Sequence, residues 1–417
     1  MPNPNFPNNP GYNLYVGARY VPVFANPIEW NKANTYEPLT VVTYQGNSFT
    51  SKTFVPANID ITNTTYWALT GNYNAQVEQY RQEVQRVVNE VTELQTKTAN
   101  MPFYYNVLDY GAIGDGSTDD TESFRNCFTA AASAKAGVFI PKGTYVVHDI
   151  QYSSDTHIIG YGATLHNTTA NSFTLCPVKN GVVGGYEQVK NVTIEGLSFT
   201  ASVTCTGVAS WHATNIRIVN CTFWNWVGWH CIEFNSTKNG FAYGNAILEY
   251  GGSETTESIQ IDGATASTSV PGGTPYDGTT CLCIDVHDNI FVNMTAVSPT
   301  SPTFAFGSHA RDVRNTDIVF RNNTIRGFSY AVRLSQSAGY GIYDNYCDNM
   351  LSGFISYIAM PSSLSQCVIR GNHVYCASGS KFFNSEWPTD THVIRDLRVE
   401  NNDVVNVSIE FPPVEYQ

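Results

Sequence analysis

Charge is scarce in this chain and basic charge scarcest: of 417 residues, 22 are Lys or Arg against 35 Asp or Glu, a formal net charge of −13. Phosphate binding needs clustered cations, so nucleic acid is excluded as a partner and an anionic membrane surface fits no better. No run approaches the ~20 apolar residues of a membrane span, which argues against membrane insertion. The opening MPNPNFPNNPGYNLY has neither the basic nor the apolar region of a secretory leader, so no signal peptide is expected. A Gly-rich phosphate loop, a Gly-x-Ser-x-Gly elbow and a His-Glu-x-x-His pair are also missing. Cys281-x-Cys283 has no second ligand pair at zinc spacing, and helix capping accounts for Asp119 and Asp120. Hence no metal and no cofactor is expected. Asn-Gly and Asp-Gly hairpin turns are sparse, against a propeller or sandwich.

What is abundant is Gly, Asn, Ser and Thr, alongside ten cysteines that sit mostly inside apolar runs such as Cys281-Leu282-Cys283-Ile284. These cysteines are expected to be reduced core residues. From about 103 to 408 a loose unit recurs, apolar-x-apolar-x-x-Asn-x-apolar, as in Asn215-Ile216-Arg217-Ile218-Val219-Asn220-Cys221 and Asp317-Ile318-Val319-Phe320-Arg321-Asn322-Asn323. Alternating apolar positions point into a coil and the Asn marks a turn between two sheets. Such coils stack at the ~4.8 Å strand spacing. The expected fold class is all-β, a right-handed parallel β-helix, preceded by a small N-terminal β module and a short α-helical coiled coil.

Four segments follow: a β module over 1–73, a coiled coil over 74–100, the β-helix over 101–408 and a tail over 409–417. The module is rich in aromatics, among them Tyr20 to Phe24, Trp30, Tyr36 and Trp67; they serve its own core and docking, or they stack on sugars. In the coiled coil Val77, Tyr80, Val84, Val87, Val91 and Leu94 repeat at spacing 3, 4, 3, 4, 3, an a/d seam. So narrow a stripe pairs with copies of itself, and its valines do not decide between dimer and trimer.

Residues 104–121, YYNVLDYGAIGDGSTDDT, place a Gly/Asp-rich turn before a helix whose start is marked by Asp119 and Glu122. Phe124, Cys127, Phe128, Ala131 and Ala132 line its inner face, and it is expected to stop near Gly137. This run resembles the opening of pectate-lyase-like right-handed β-helix proteins, in which the helix caps the first rung. The order of module, coiled coil and β-helix is similar to that of bacteriophage tailspike and appendage proteins. That resemblance implies a homotrimer, located on the virion, whose N-terminal module meets other tail proteins. It also implies that the protein binds, and leans toward depolymerising, a host-surface glycan such as teichoic acid or polysaccharide. A non-enzymatic adhesin or fibre and a cellular lyase or hydrolase are the alternatives.

Candidate site residues come from two places. Trp211, Trp224, Trp226 and Trp229 fall within 24 residues beside His230 and Glu233, and indole faces beside a carboxylate suit sugar rings; packing of an irregular rung is the competing explanation. Glu233, Asp262 and Arg333 each follow an Asn turn and, with apolar neighbours inward, are expected to point outward on related strands, with Asp285 on the rung between. Carboxylates one or two rungs apart match the acid and base spacing of glycoside hydrolases. Glu233, Asp262 and Asp285 are therefore the expected catalytic groups, and the four tryptophans, His230 and Arg333 the substrate-binding ones.

Overall fold

The computed structural model describes residues 28–99, 103–179, 181–251, 257–265, 275–294, 302–309, 314–335, 337–358, 365–386, 394–409 and 414–415; the Tyr20–Phe24 segment lies outside them. The chain divides into two compact units, Met1–Met101 and Pro102–Gln417. In the first, strands Ile28–Glu29, Val41–Tyr44, Asn47–Ser51 and Trp67–Gly71 form one sheet. Its tight hairpin turns at Gln45 and Gly46, both at positive φ, as a two-residue turn requires. Tyr36, Val42, Val55, Ile61 and Trp67 make its core, so Tyr36 and Trp67 are packing residues. Helix α1, Tyr73–Ala99, leaves all six seam residues exposed. No described helix is long and apolar enough to cross a membrane.

The second unit is a parallel β-helix, and its strands fall into three ladders. One is the 13-stranded sheet, in which Ala213–Val219, Thr237–Tyr243, Leu282–His287 and Asn315–Arg321 pair in parallel, rung on rung. A second runs through Thr222–Trp226, Ala246–Tyr250 and Ile290–Val292. The third runs through Thr206–Ser210, Ile232–Asn235, Glu257–Asp262, Phe304–Gly307 and Tyr330–Leu334. Isoleucine, valine and phenylalanine from all three meet in one continuous core.

Asparagine at the turn between the first and second ladders does the work that the repeat implies. Asn245, Asn289, Asn323, Asn345, Asn372 and Asn402 stack in register, each donating its amide Nδ2–H to Oδ1 of the next at 2.8–3.0 Å. Each Oδ1 beyond the first also accepts the backbone N–H of the Asn before it at 2.9–3.0 Å. Buried amides are thus satisfied by their own repeats. Neighbouring positions such as Asn220, Asp288, Asn322 and Asp344 are left-handed, a conformation that Asn and Asp tolerate better than other side chains.

Helix α2, Thr121–Ala134, closes the first rungs with Phe124, Cys127, Phe128 and Ala131 in the core. Its start differs from the expected capping box. Asp119 Oδ1 accepts from Thr121 N (2.9 Å), Glu122 pairs with Arg125, and Asp120 instead ties the preceding loop by accepting from Ile113 N (2.7 Å) and Gly114 N (3.1 Å). The helix ends on Lys135 in the left-handed region, short of Gly137. All ten cysteines are free thiols, nine buried and Cys283 exposed.

Candidate functional site

Along the third ladder, strand alternation sorts the side chains into two rows. Val208, Ile232, Ile259, Phe306, Val332 and Ile355 align rung on rung toward the core. The next position forms the outward row Ala209, Glu233, Gln260, Gly307, Arg333 and Ser356. Gly307 is required here: its φ is +144° and a Cβ would lie 2.1 Å from the Arg333 carbonyl oxygen. Glu233 lies opposite Gln260, whereas Asp262 lies opposite Asn235, two residues further along. The two carboxyls are therefore diagonal neighbours, with Cα atoms roughly 8 Å apart for this strand spacing and rise.

Burial pushes the half-buried Glu233 carboxyl up to about 8, and the Asp262 charge pushes in the same direction, while Asn235, His309 and Thr206 pull less strongly the other way. A carboxylic acid that keeps its proton at neutral pH beside a second carboxyl is the arrangement of a general acid and its base. Gln260 Nε2 reaches toward Asp262 Oδ2 (3.4 Å).

Close to this pair lies an ionic network centred on the enclosed Glu257 and the buried Arg333, with His309 exposed at its edge. Glu257, fully enclosed, accepts from His309 Nδ1 (2.9 Å) and Arg333 Nη1 (3.2 Å). Arg333 also donates through Nε (2.8 Å) and Nη2 (2.6 Å) to Glu386, which accepts from Ser356 Oγ as well (2.9 Å). Burial raises the Glu257 carboxyl, but His309 and Arg333 reverse this and hold it at about 2. The same pairing raises His309, against its own burial. His230 donates Nδ1–H to the Glu257 carbonyl (2.6 Å), and its burial lowers it to about 4, which keeps it neutral.

Several expected residues are placed otherwise. Asp285 is on strand Leu282–His287 of the 13-stranded sheet, paired with Arg321 (2.9 Å) and in register with Phe241. It is on a different ladder from Glu233 and does not join it. Trp226 is wholly buried, edge-on to Phe223 at 6.0 Å, and Trp211 is buried against Phe173 at 5.5 Å. Neither offers a face to a sugar: Trp226 fills the coil, and Trp211 is enclosed in a separate small cluster with Phe173, Cys176 and Ala209. Trp224 is 42% exposed and Trp229 half-buried. Arg333 and His230 do not point freely outward; both are buried and bonded to Glu257. Sequence reading passed over Glu257, Gln260, His309 and Glu386. The signal for the first two was Glu257-Ser-Ile-Gln260-Ile-Asp262, an otherwise strand-like run with three chemistry-bearing side chains.

The family model described as rhamnogalacturonase A/epimerase, pectate lyase-like, matches residues 104–355. Plasmin and fibronectin-binding protein A of Streptococcus pneumoniae is 43% identical over 56 residues, which are 13% of this chain and 8% of that relative. The solved S. pneumoniae surface protein and adhesin PfbA overlays 75% of this chain and 100% of its own, with TM-score 0.54 and 18% identity. A tailspike of E. coli bacteriophage HK620, solved with a hexasaccharide, overlays 72% of this chain and 57% of its own, with TM-score 0.55 and 14% identity. At these identities the overlays show a shared β-helix fold.

Proposed function

The chain belongs to the pectate-lyase-like family of rhamnogalacturonase A and epimerases, and on that premise we propose that it binds a cell-surface glycan and hydrolyses it at Glu233 and Asp262. One observation carries the reading: Glu233, protonated near neutral pH, is diagonal to a second carboxyl on the next rung, that of the buried Asp262. In the proposed reaction Glu233 gives its proton to the glycosidic oxygen as the bond from that oxygen to the anomeric carbon breaks. Asp262 takes a proton from the water that forms the new bond to that carbon. The diagonal offset of roughly 8 Å between the two Cα atoms favours an inverting arrangement, in which a water stands between carboxyls ~6.5–9.5 Å apart. Gln260, in register with Glu233 and 3.4 Å from Asp262, completes the site; the ion pairs among Glu257, His309, Arg333 and Glu386 keep its surroundings rigid.

The setting we propose is a trimeric virion spike of a bacteriophage. It is supported by the exposed a/d stripe of α1 and by a β-helix of the kind tailspikes have. The N-terminal unit then meets other tail proteins. The test is incubation of the purified protein with walls and capsular polysaccharides from a panel of bacteria, with mass spectrometry of what is released. Oligomers without a 4,5-unsaturated end support hydrolysis, and unsaturated ends exclude it. Glu233→Gln should bind the same glycan and release nothing. Binding by the wild type with no release, on a panel that includes the true host, would leave an adhesin.

A further inference from the structure

The outward face of the 13-stranded sheet, on a different ladder from the carboxyl pair, carries a second cluster of aromatic and polar groups near the start of the β-helix. Tyr161 stands in the turn after strand His157–Ile159 and is 58% exposed. A Cβ built on Gly196 would lie 2.9 Å from three of its ring atoms at once, so the ring lies flat over that glycine. Only a residue without a side chain leaves this space, and Gly196 is also left-handed, at φ +73°. Tyr161 donates its hydroxyl to Glu195 Oε1 (2.7 Å), and its hydroxyl also meets the Asn220 side chain. The ring is thereby held at its hydroxyl and against Gly196, while 58% of the residue stays exposed.

The polar groups at its edge are themselves ordered. Glu195 Oε2 accepts from His157 Nε2 (3.0 Å), and His157 Nδ1 accepts from Tyr104 OH (2.7 Å). This direction follows because a carboxylate only accepts, which assigns the imidazole proton to Nε2. Tyr104 reaches His157 by lying across Gly137, where a Cβ would be 2.5 Å from its ring. Phe139, exposed, continues the strip in register one strand before Ile159.

We propose that Tyr161 is the stacking platform of a second glycan-binding site, taking the apolar face of one sugar ring while Glu195 and Asn220 receive its hydroxyls. A fixed, exposed aromatic face needs no ordering when the sugar arrives, which keeps the entropic cost of binding low, and the carboxylate beside it supplies the directional contact. The site is independent of cleavage at Glu233 and serves to hold a polymer on the β-helix surface.

The experiment is a binding assay on an array of defined mono- to hexasaccharides and bacterial wall polysaccharides, run on the Glu233→Gln protein with and without Tyr161→Ala or Tyr161→Phe. For the glycan bound best, Tyr161→Ala should weaken affinity about tenfold, the scale of one aromatic contact. Tyr161→Phe, which keeps the ring and loses its tether to Glu195, should fall between. Melting temperatures equal to the parent's would show that the fold is intact. Unchanged affinity of Tyr161→Ala for every glycan overturns the proposal, as does a parent that binds none. So does a change in sedimentation caused by Tyr161→Ala, which would make the ring a contact between subunits. If the wild type and Glu233→Gln cleave equally, the catalytic reading fails while the platform stands.

Discussion

Glu233 and Asp262 face the same side of adjacent rungs but do not sit opposite each other: Glu233 pairs with Gln260, and Asp262 with Asn235. That diagonal separates the half-buried acid from its partner by one side chain, Gln260, whose amide reaches Asp262. The proposed inverting reaction rests on this offset, because directly opposed carboxyls would stand at the ~4.8 Å rung spacing, nearer the ~5 Å of retaining enzymes.

Glu233→Gln should abolish release of oligomers and also stabilise the protein above mildly acidic pH. A carboxyl raised to about 8 in the fold, against ~4.3 when unfolded, lowers stability as pH rises between those values. Melting temperatures of wild type and variant should therefore agree near pH 4 and diverge toward pH 8, the variant higher. Wild-type cleavage should fall above pH 8 as Glu233 loses its proton. A variant less stable at every pH would contradict this account.

Glu257→Gln should destabilise the β-helix by about 3 kcal/mol at pH 7, because His309 and Arg333 lose their shared buried counter-charge. The Glu257 carboxyl is lowered in the fold, so its contribution is present above the unfolded value near 4 and is lost as pH falls toward 2. Denaturant titrations at pH 7 and pH 3 should show the difference between wild type and variant shrinking with acid.

Trp224→Ala and Trp226→Ala should part company. Trp226 is fully enclosed, and its truncation should cost about 3–5 kcal/mol with a matching fall in melting temperature. Trp224, 42% exposed, should leave the melting temperature nearly unchanged and weaken glycan binding. Equal stabilities for the two variants would refute the assignment of Trp226 to the core.

Asn323→Ala removes the middle of the asparagine stack, leaving the Asn289 amide and backbone N–H and the Val286 carbonyl without their partner. Stranded buried groups cost about 1–3 kcal/mol each, so a loss of at least ~2 kcal/mol is expected by urea unfolding. Asn322→Ala, next to it and outside the stack, should cost less.

Val84→Asp with Val87→Asp on α1 should convert a trimer to a monomer in analytical ultracentrifugation, because both exposed valines lie on the stripe and a charge there cannot be buried in a three-helix seam. A wild type that sediments as a monomer would remove the spike reading.

The β-helix was legible because its cause is periodic: alternation sets which side chains enter the coil, and an Asn recurring at each turn reveals the stack that it builds. The α1 stripe and the core face of α2 could be read for the same reason. Glu233 and Asp262 could be placed on outward-facing strand positions from their apolar neighbours alone. Local pattern does not fix which ladder a strand joins, and that depends on where each turn places it around the coil. Asp285, read as a neighbour of Glu233, therefore proved to lie on another sheet, paired with Arg321. Trp226, whose chain position matched a surface bend, filled the core instead, and Trp211 is enclosed in a separate cluster beside Phe173. The Glu257–His309–Arg333–Glu386 network makes direct bonds between residues as far as 76 apart in sequence, and only stacking of successive rungs brings them together. The sequence by itself determined the coil, its turns and the residues able to carry charge; tertiary structure decided which charges meet, because contact across rungs depends on register and not on spacing along the chain.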